Sequence, residues 1–114
     1  MSPTAWQRLK LKLEQPPTQE RERNVLLVAF GDSVTQGLFV NPGLVGDAVY
    51  HEVFRRALMA RYPERTFSGV NAGSSGDNTT GALARLQHDV LDHHPDLVLV
   101  CFGLNDAWGG AAGE

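Results

Sequence analysis

A chain of 114 residues is one domain or less, and 42% hydrophobic with 20% charged residues is a globular composition, neither disordered nor fibrous. The net charge of −3 comes without a basic run, which excludes a nucleic-acid surface, and no apolar stretch reaches the roughly 20 residues that span a bilayer. The amino terminus lacks the apolar core of a signal peptide, so the expected compartment is cytoplasmic. The one cysteine, Cys101, excludes an internal disulfide and, inside an apolar run, is expected to be a small buried hydrophobe.

Residues 1–23 are rich in charge, Gln and Pro. Trp6, Leu9 and Leu13 fit a helical face, while Leu9, Leu11 and Leu13 alternate like a strand, so both periods stay open. Pro16-Pro17 interrupts whichever element forms. The segment is expected to be an arm and linker, with residues 24–114 forming the domain proper. From Val25 the run "VLLVAFG" is apolar on both faces, which suits a strand buried between two helical layers. The next stretch, "PGLVGDAVYHEVFRRALMARYP", predicts a helix presenting Val45, Val49, Val53 and Ala57, flanked by Phe54 and Leu58 and stopped by Pro63.

Residues 66–73, "TFSGVNAG", read as a second strand. A second long helix is expected to start at Asp77 or Asn78, bury Leu83, Leu86, Val90 and Leu91, and end by Pro95. "LVLVCFG", residues 97–103, repeats the first strand pattern. Strands alternating with helices imply right-handed crossovers and a parallel sheet. The predicted fold is therefore α/β, a three-layer α/β/α sandwich with strand order 2-1-3.

In such sheets ligands bind beyond the carboxyl ends of the strands. All three predicted strands end in loops of one flavour: Gly31-Asp32-Ser33, Asn71 to Gly76, and Gly103 to Asp106. The fold rule places Ser33, Gly73 and Asn105 on one edge. Ser33 offers a hydroxyl, Gly73 a backbone N–H that a ligand can approach closely, and Asn105 an amide donor. Two backbone N–H groups and an amide can form an oxyanion hole for acyl transfer, each donor worth about 3 kcal/mol of transition-state stabilisation. Blander roles remain beside these: Ser33 as a helix cap, Gly73 as a turn glycine, Asn105 bonding its own loop, Asp106 as a cap. His51 reads as a surface helix residue, His93 and His94 as a helix end, and His88 with Asp92 as a helix-face pair without a third metal ligand.

"FGDSVTQG", "NAGSSGDNT" and "FGLNDA" resemble, in order, the three blocks of the SGNH-hydrolase superfamily, the GDSL-type esterases and lipases. The resemblance implies carboxylic ester hydrolysis through an acyl-enzyme, with Ser33 as nucleophile and Ser33, Gly73 and Asn105 as the oxyanion hole. Asp32 and Asp106 would be supporting residues. It implies a small-molecule ester substrate and neither metal nor cofactor. Val34 stands where the family usually has Leu.

The family's last block, D-x-x-H, supplies the general base and the Asp that orients it. No histidine here has an Asp three positions before it, and Asp92 and His94 are too close together and precede the third strand. The chain is therefore expected to be the amino-terminal portion of such a domain and inactive alone. The alternative is a non-catalytic ester-binding or assembly remnant. An unpaired 97–103 edge would favour self-association unless the amino-terminal arm covers it.

Overall fold

The computed structural model describes residues 4–16, 23–37, 49–103 and 105–107. The sheet has three parallel strands, β1 (Asn24–Gly31), β2 (Thr66–Gly73) and β3 (Leu97–Cys101), in the order β2-β1-β3. Register runs from Asn24 opposite Thr66 to Gly31 opposite Gly73 on one side, and from Leu27 opposite Leu97 to Gly31 opposite Cys101 on the other. The central strand has the continuous apolar run, and Val25 and Val28 are fully buried. Removing a side chain of that size from water contributes about 1.5–3 kcal/mol.

Alternation along β1 divides the core into two layers. Val28 and Phe30 meet Ala72, Ala82 and Val90 beneath α4 (Thr79–Asp89), with Val98 and Phe102 packed alongside. Val25 and Leu27 face the other way. They pack with Leu9 of α1 (Ala5–Glu14), Phe67, and Leu58 of α3 (Tyr50–Arg61). A four-residue helix, α2 (Ser33–Gln36), sits at the end of β1.

The arm is a helix, so the strand reading of Leu9, Leu11 and Leu13 fails. A capping box starts it: Thr4 Oγ1 accepts the Gln7 N–H at 3.1 Å, and Gln7 Oε1 accepts the Thr4 N–H at 2.8 Å. The helical period turns Leu9 and Leu13 toward the sheet and leaves Leu11 exposed. Buried Arg65 donates to the carbonyls of Lys12 and Gln15 at the end of α1, and Lys12 pairs with Asp96 at 2.9 Å. Asp96 in turn accepts the Leu26 N–H at 2.8 Å. Docked on a face of the sheet, α1 does not serve as a substitute strand for β3.

Both crossover helices bury only part of the predicted stripe: Val49, Leu58, Leu86 and Val90 face the core as expected. In α3, Val53 and Ala57 are exposed, and His51, Arg55, Leu58 and Tyr62 turn inward. Val45 lies outside the described residues. In α4, Leu83 is 74% exposed and Leu91 also faces out, whereas Ala82, Leu86 and Val90 face the sheet. The helix starts where Asn78 Oδ1 accepts the Gly81 N–H at 2.8 Å, so Asn78, and not Asp77, is its cap. β3 stops at Cys101, two residues short of the predicted run, because its partner β1 ends at Gly31 opposite Cys101. Cys101 is half-buried. No described helix is long and apolar enough to cross a membrane.

Candidate active site at the strand ends

At the carboxyl end of β1, Asp32 is buried and its Oδ1 accepts the Val34 N–H at 3.0 Å. Asp32 is thus the N-cap of α2, and Ser33 is the helix's first residue, so the reading of Ser33 as the cap is overturned. Ser33 is buried against the sheet edge, and its carbonyl accepts the Gly37 N–H at 3.0 Å. A Cβ on Gly31 would lie 2.0 Å from Thr35 Oγ1 and 2.6 Å from Cys101 O. Only glycine lets the chain fold back this tightly onto the strand ends.

The far side of α2 is held from α3. Thr35 is fully buried, its Oγ1 is 2.8 Å from Tyr50 Oη, and its carbonyl accepts from His51 Nε2 at 2.8 Å. Because a carbonyl can only accept, His51 carries its proton on Nε2. His51 is therefore a buried strut beneath the Ser33 helix, which corrects its reading as a surface residue. Burial pushes the Tyr50 hydroxyl above its ordinary pKa, against the lowering effect of its bond to Thr35.

At the end of β2 the two glycines behave differently. A Cβ on Gly73 would stand 2.3 Å from Gln36 N, so this residue allows β2 to touch the backbone of α2. Its N–H is donated to Asn71 Oδ1 at 2.9 Å. Asn71 Nδ2 donates to Gln36 O at 3.2 Å, and Gln36 Oε1 accepts the Ser75 N–H at 2.7 Å. The following turn closes through Asp77 N–H to Ser74 O at 3.1 Å, and Ser74 N–H donates to Gly31 O at 3.0 Å. Gly76, third in that turn, adopts φ +81, the left-handed conformation that favours glycine. It makes no hydrogen bond among the described residues, and the space where a Cβ would sit is open to at least 4 Å.

Beyond β3, Asn105 Nδ2 donates to Asp77 O at 2.8 Å, which uses one of its two amide hydrogens. Asp106 accepts the Thr79 N–H at 3.1 Å and the Thr79 hydroxyl at 2.6 Å, fastening this loop to the start of α4. The structure thus places Ser33, Gly73 and Asn105 on the same sheet edge, with Asn105 bonded beside Gly76 and Gly73 bonded within its own strand.

Sequence reasoning passed over Arg85. Its Nε donates to Asp77 Oδ2 at 2.7 Å, Nη1 to Ala72 O at 2.9 Å and Asp89 Oδ2 at 3.1 Å, and Nη2 to Gly31 O at 2.9 Å. The guanidinium also lies 4.6 Å from the centroid of the Phe30 ring, which meets Phe102 edge-on at 5.2 Å. Burial opposes its charge, but hydrogen bonds to Asp77 and Asp89 outweigh it and raise its pKa further. The available signal was a cation inside the sheet-facing stripe of α4, between Ala82 and Leu86.

The other three histidines lie away from this edge. His88 pairs with Asp89 at 2.8 Å, while Asp92 accepts from Gln87 at 2.7 Å. His93 ends a 3-10 turn (Leu91–His93) and His94 follows it with φ +52, both ahead of β3. Among the described residues no three His, Cys, Asp or Glu side chains converge as a metal site would require.

The sequence pattern of the GDSL-like lipase/acylhydrolase family matches residues 29–114. An acetylxylan esterase from Geobacillus stearothermophilus is 34% identical over 88 residues, covering 72% of this chain and 40% of the esterase. The chain thus spans less than half the length of that curated relative. Among solved structures, the lipase/acylhydrolase from Enterococcus faecalis superposes with a TM-score of 0.58 at 35% identity, over 73% of this chain and 40% of that one. A two-domain esterase active on acetylated mannans gives a TM-score of 0.64 at 28% identity, over 73% of this chain and 22% of that one. Three family blocks lie at the ends of three parallel strands in the family's order, and the pattern matches from Ala29 onward, so the chain belongs to the GDSL-like lipase/acylhydrolase family.

Proposed function

We propose that this chain carries the nucleophile and oxyanion half of a serine esterase site, acting on small carboxylic esters. Acetylated sugars are the substrate class, because relatives are named as esterases of acetylated xylan and mannan. Ser33 Oγ attacks the ester carbonyl, the alcohol leaves, and an acyl-Ser33 remains for water to release. The tetrahedral oxyanion is held by the Ser33 N–H, the Asn105 amide and the N–H of Gly76. Gly76 takes the place that the sequence reading gave Gly73, because the Gly73 N–H is already donated to Asn71 Oδ1. The observation that carries the reading is the bond from Asn105 Nδ2 to Asp77 O, which joins the third block to the turn after the second on the edge where Ser33 begins α2.

A base for Ser33 is not found among the four histidines. The Nε2 of His51 is committed to the Thr35 carbonyl, and the others precede β3. Removing the base of such a site lowers its rate by several orders of magnitude. The purified chain should therefore turn over a short aryl acetate slowly, with Ser33 acetylated slowly and the acetyl accumulating because its hydrolysis needs the same base, and peptide mass spectrometry can locate it. Asn105→Ala should lower that acetylation about 10²-fold. Acetyl found only on lysines, or equal labelling of Ser33 in both proteins, would remove the esterase reading in favour of a non-catalytic ester-binding remnant.

A further inference from the structure

Catalysis by acyl transfer requires the nucleophile and the oxyanion donors to keep a fixed separation, because a displacement of about 1 Å can cost up to ~10²-fold in rate. Here the two sides sit on different strands. Ser33 follows β1, and the Gly76 turn and Asn105 follow β2 and β3. Parallel strands hold one another through ladder bonds, but the ladder ends at Gly31 and Gly73. Beyond it Ser74 N–H bonds to Gly31 O and Gln36 of α2 bonds to Asn71 and Ser75, and the side chain of Arg85 adds a further tie from beneath.

We propose that Arg85 is a positioning residue that fixes the Ser33 turn against the Gly76–Asn105 side of the site. The inference rests on the esterase reading of that edge. One guanidinium touches the first and second blocks directly and is linked to the third through Asp77 and Phe30. Nη2 holds the carbonyl of Gly31, two residues before Ser33. Nη1 holds the carbonyl of Ala72 in β2, and Nε holds the carboxylate of Asp77, whose own carbonyl accepts from Asn105. The stacked Phe30 ring passes the contact on to Phe102, the first residue of the third block. Asp89, one turn further along α4, anchors Nη1 from behind.

The geometry asks for arginine specifically. Five N–H donors in a planar fork can serve two carbonyls and two carboxylates at once, whereas the three donors of a lysine ammonium radiate from a single point. Gly31 O is shared between Arg85 and the Ser74 N–H, so the same carbonyl already joins the first block to the second. A side chain serving only overall stability would not need to gather acceptors from both strand ends and the turn between them.

Arg85→Lys and Arg85→Met in the full chain separate positioning from bulk stability. Amide exchange by NMR should show the Ser74 and Asp77 N–H groups exchanging about tenfold faster in Arg85→Lys, with the β1 amides around Val28 unchanged, because local openings report separately from global unfolding. Acetylation of Ser33 should fall by about tenfold to a hundredfold in the same variant. Unchanged exchange at Ser74 and Asp77, or equal acceleration throughout the sheet, overturns the proposal. So does loss of the fold in both variants, which would assign Arg85 to general stability. If the parent never acetylates Ser33 but the selective loosening appears, the esterase reading fails while the clamp stands. If the parent acetylates and no loosening appears, only the clamp is lost.

Discussion

His88 and Asp89 show how far a single pair reaches. The hydrogen bond and charge of Asp89 raise the pKa of the exposed His88 above its ordinary value near 6.5. His88, then Arg85, hold the Asp89 carboxyl below its ordinary value near 3.8. The signs define a window. The contribution of His88 is present below its ordinary pKa and lost as pH rises through the raised one. That of Asp89 is present above its ordinary pKa and lost as pH falls through the lowered one. Exposure and salt keep the effect small. His88→Gln should therefore lower the melting temperature slightly at about pH 5.5 and not at about pH 9, where the parent imidazole is neutral. Thermal melts at the two pH values check this, and a deficit at the higher pH alone would reverse the assignment.

Among the elements, α2 is the one on which the site depends, and four residues cannot hold themselves in place as a helix. It is fixed instead from three directions: by Asp32 at its start, by Tyr50 and His51 behind Thr35, and by Gly73 and Asn71 against Gln36. The approach at Gly73 is the tightest of these contacts with β2. Gly73→Ala would push a methyl group to 2.3 Å from Gln36 N, a backbone atom that cannot swing away. The expected cost is about 3 kcal/mol, the upper end of overpacking penalties, with α2 displaced from the sheet. Denaturant unfolding measures it. An alanine variant as stable as the parent would mean that α2 does not rest on β2. Gly76→Ala, where the site is open, should cost only the strain of a positive φ, about 1–2 kcal/mol.

For the molecule as a whole, the decisive feature is the outer side of β3. Among the described residues this strand pairs only with β1, and Val100, on the α4 face, is 67% exposed. An unpaired apolar edge without charge or proline invites pairing with another chain. The helical α1 lies on the opposite face, beside an apolar groove of about 370 Å³ lined by Trp6, Leu9, Phe54 and Tyr62 at the amino ends of the strands, remote from Ser33. Size-exclusion chromatography with light scattering should find species larger than the 12.4 kDa monomer, and Val100→Lys should shift the population toward monomer. A parent that elutes as a stable monomer removes the edge as a contact.

The strand pattern and the three blocks were legible in the sequence because they rest on local signals. Continuous apolar runs mark buried parallel strands, and Gly-Asp-Ser, Asn-Ala-Gly and Gly-Leu-Asn-Asp each fall where a strand must stop. One fold rule then sufficed to put Ser33 and Asn105 on one edge. Helix orientation was less legible. Val53, Ala57 and Leu83 are as apolar as the residues that were buried, and their exposure follows from where α3 and α4 cross the sheet. The amino-terminal period was ambiguous until Leu9 met Val25 and Leu27. Tertiary structure alone turned His51 inward onto Thr35 and gathered carbonyls from two strands around Arg85. Each of these depends on distances between segments far apart in the chain. Sequence spacing determines which residues share a face, but only the packed chain decides which hydrogen-bond donors are already taken.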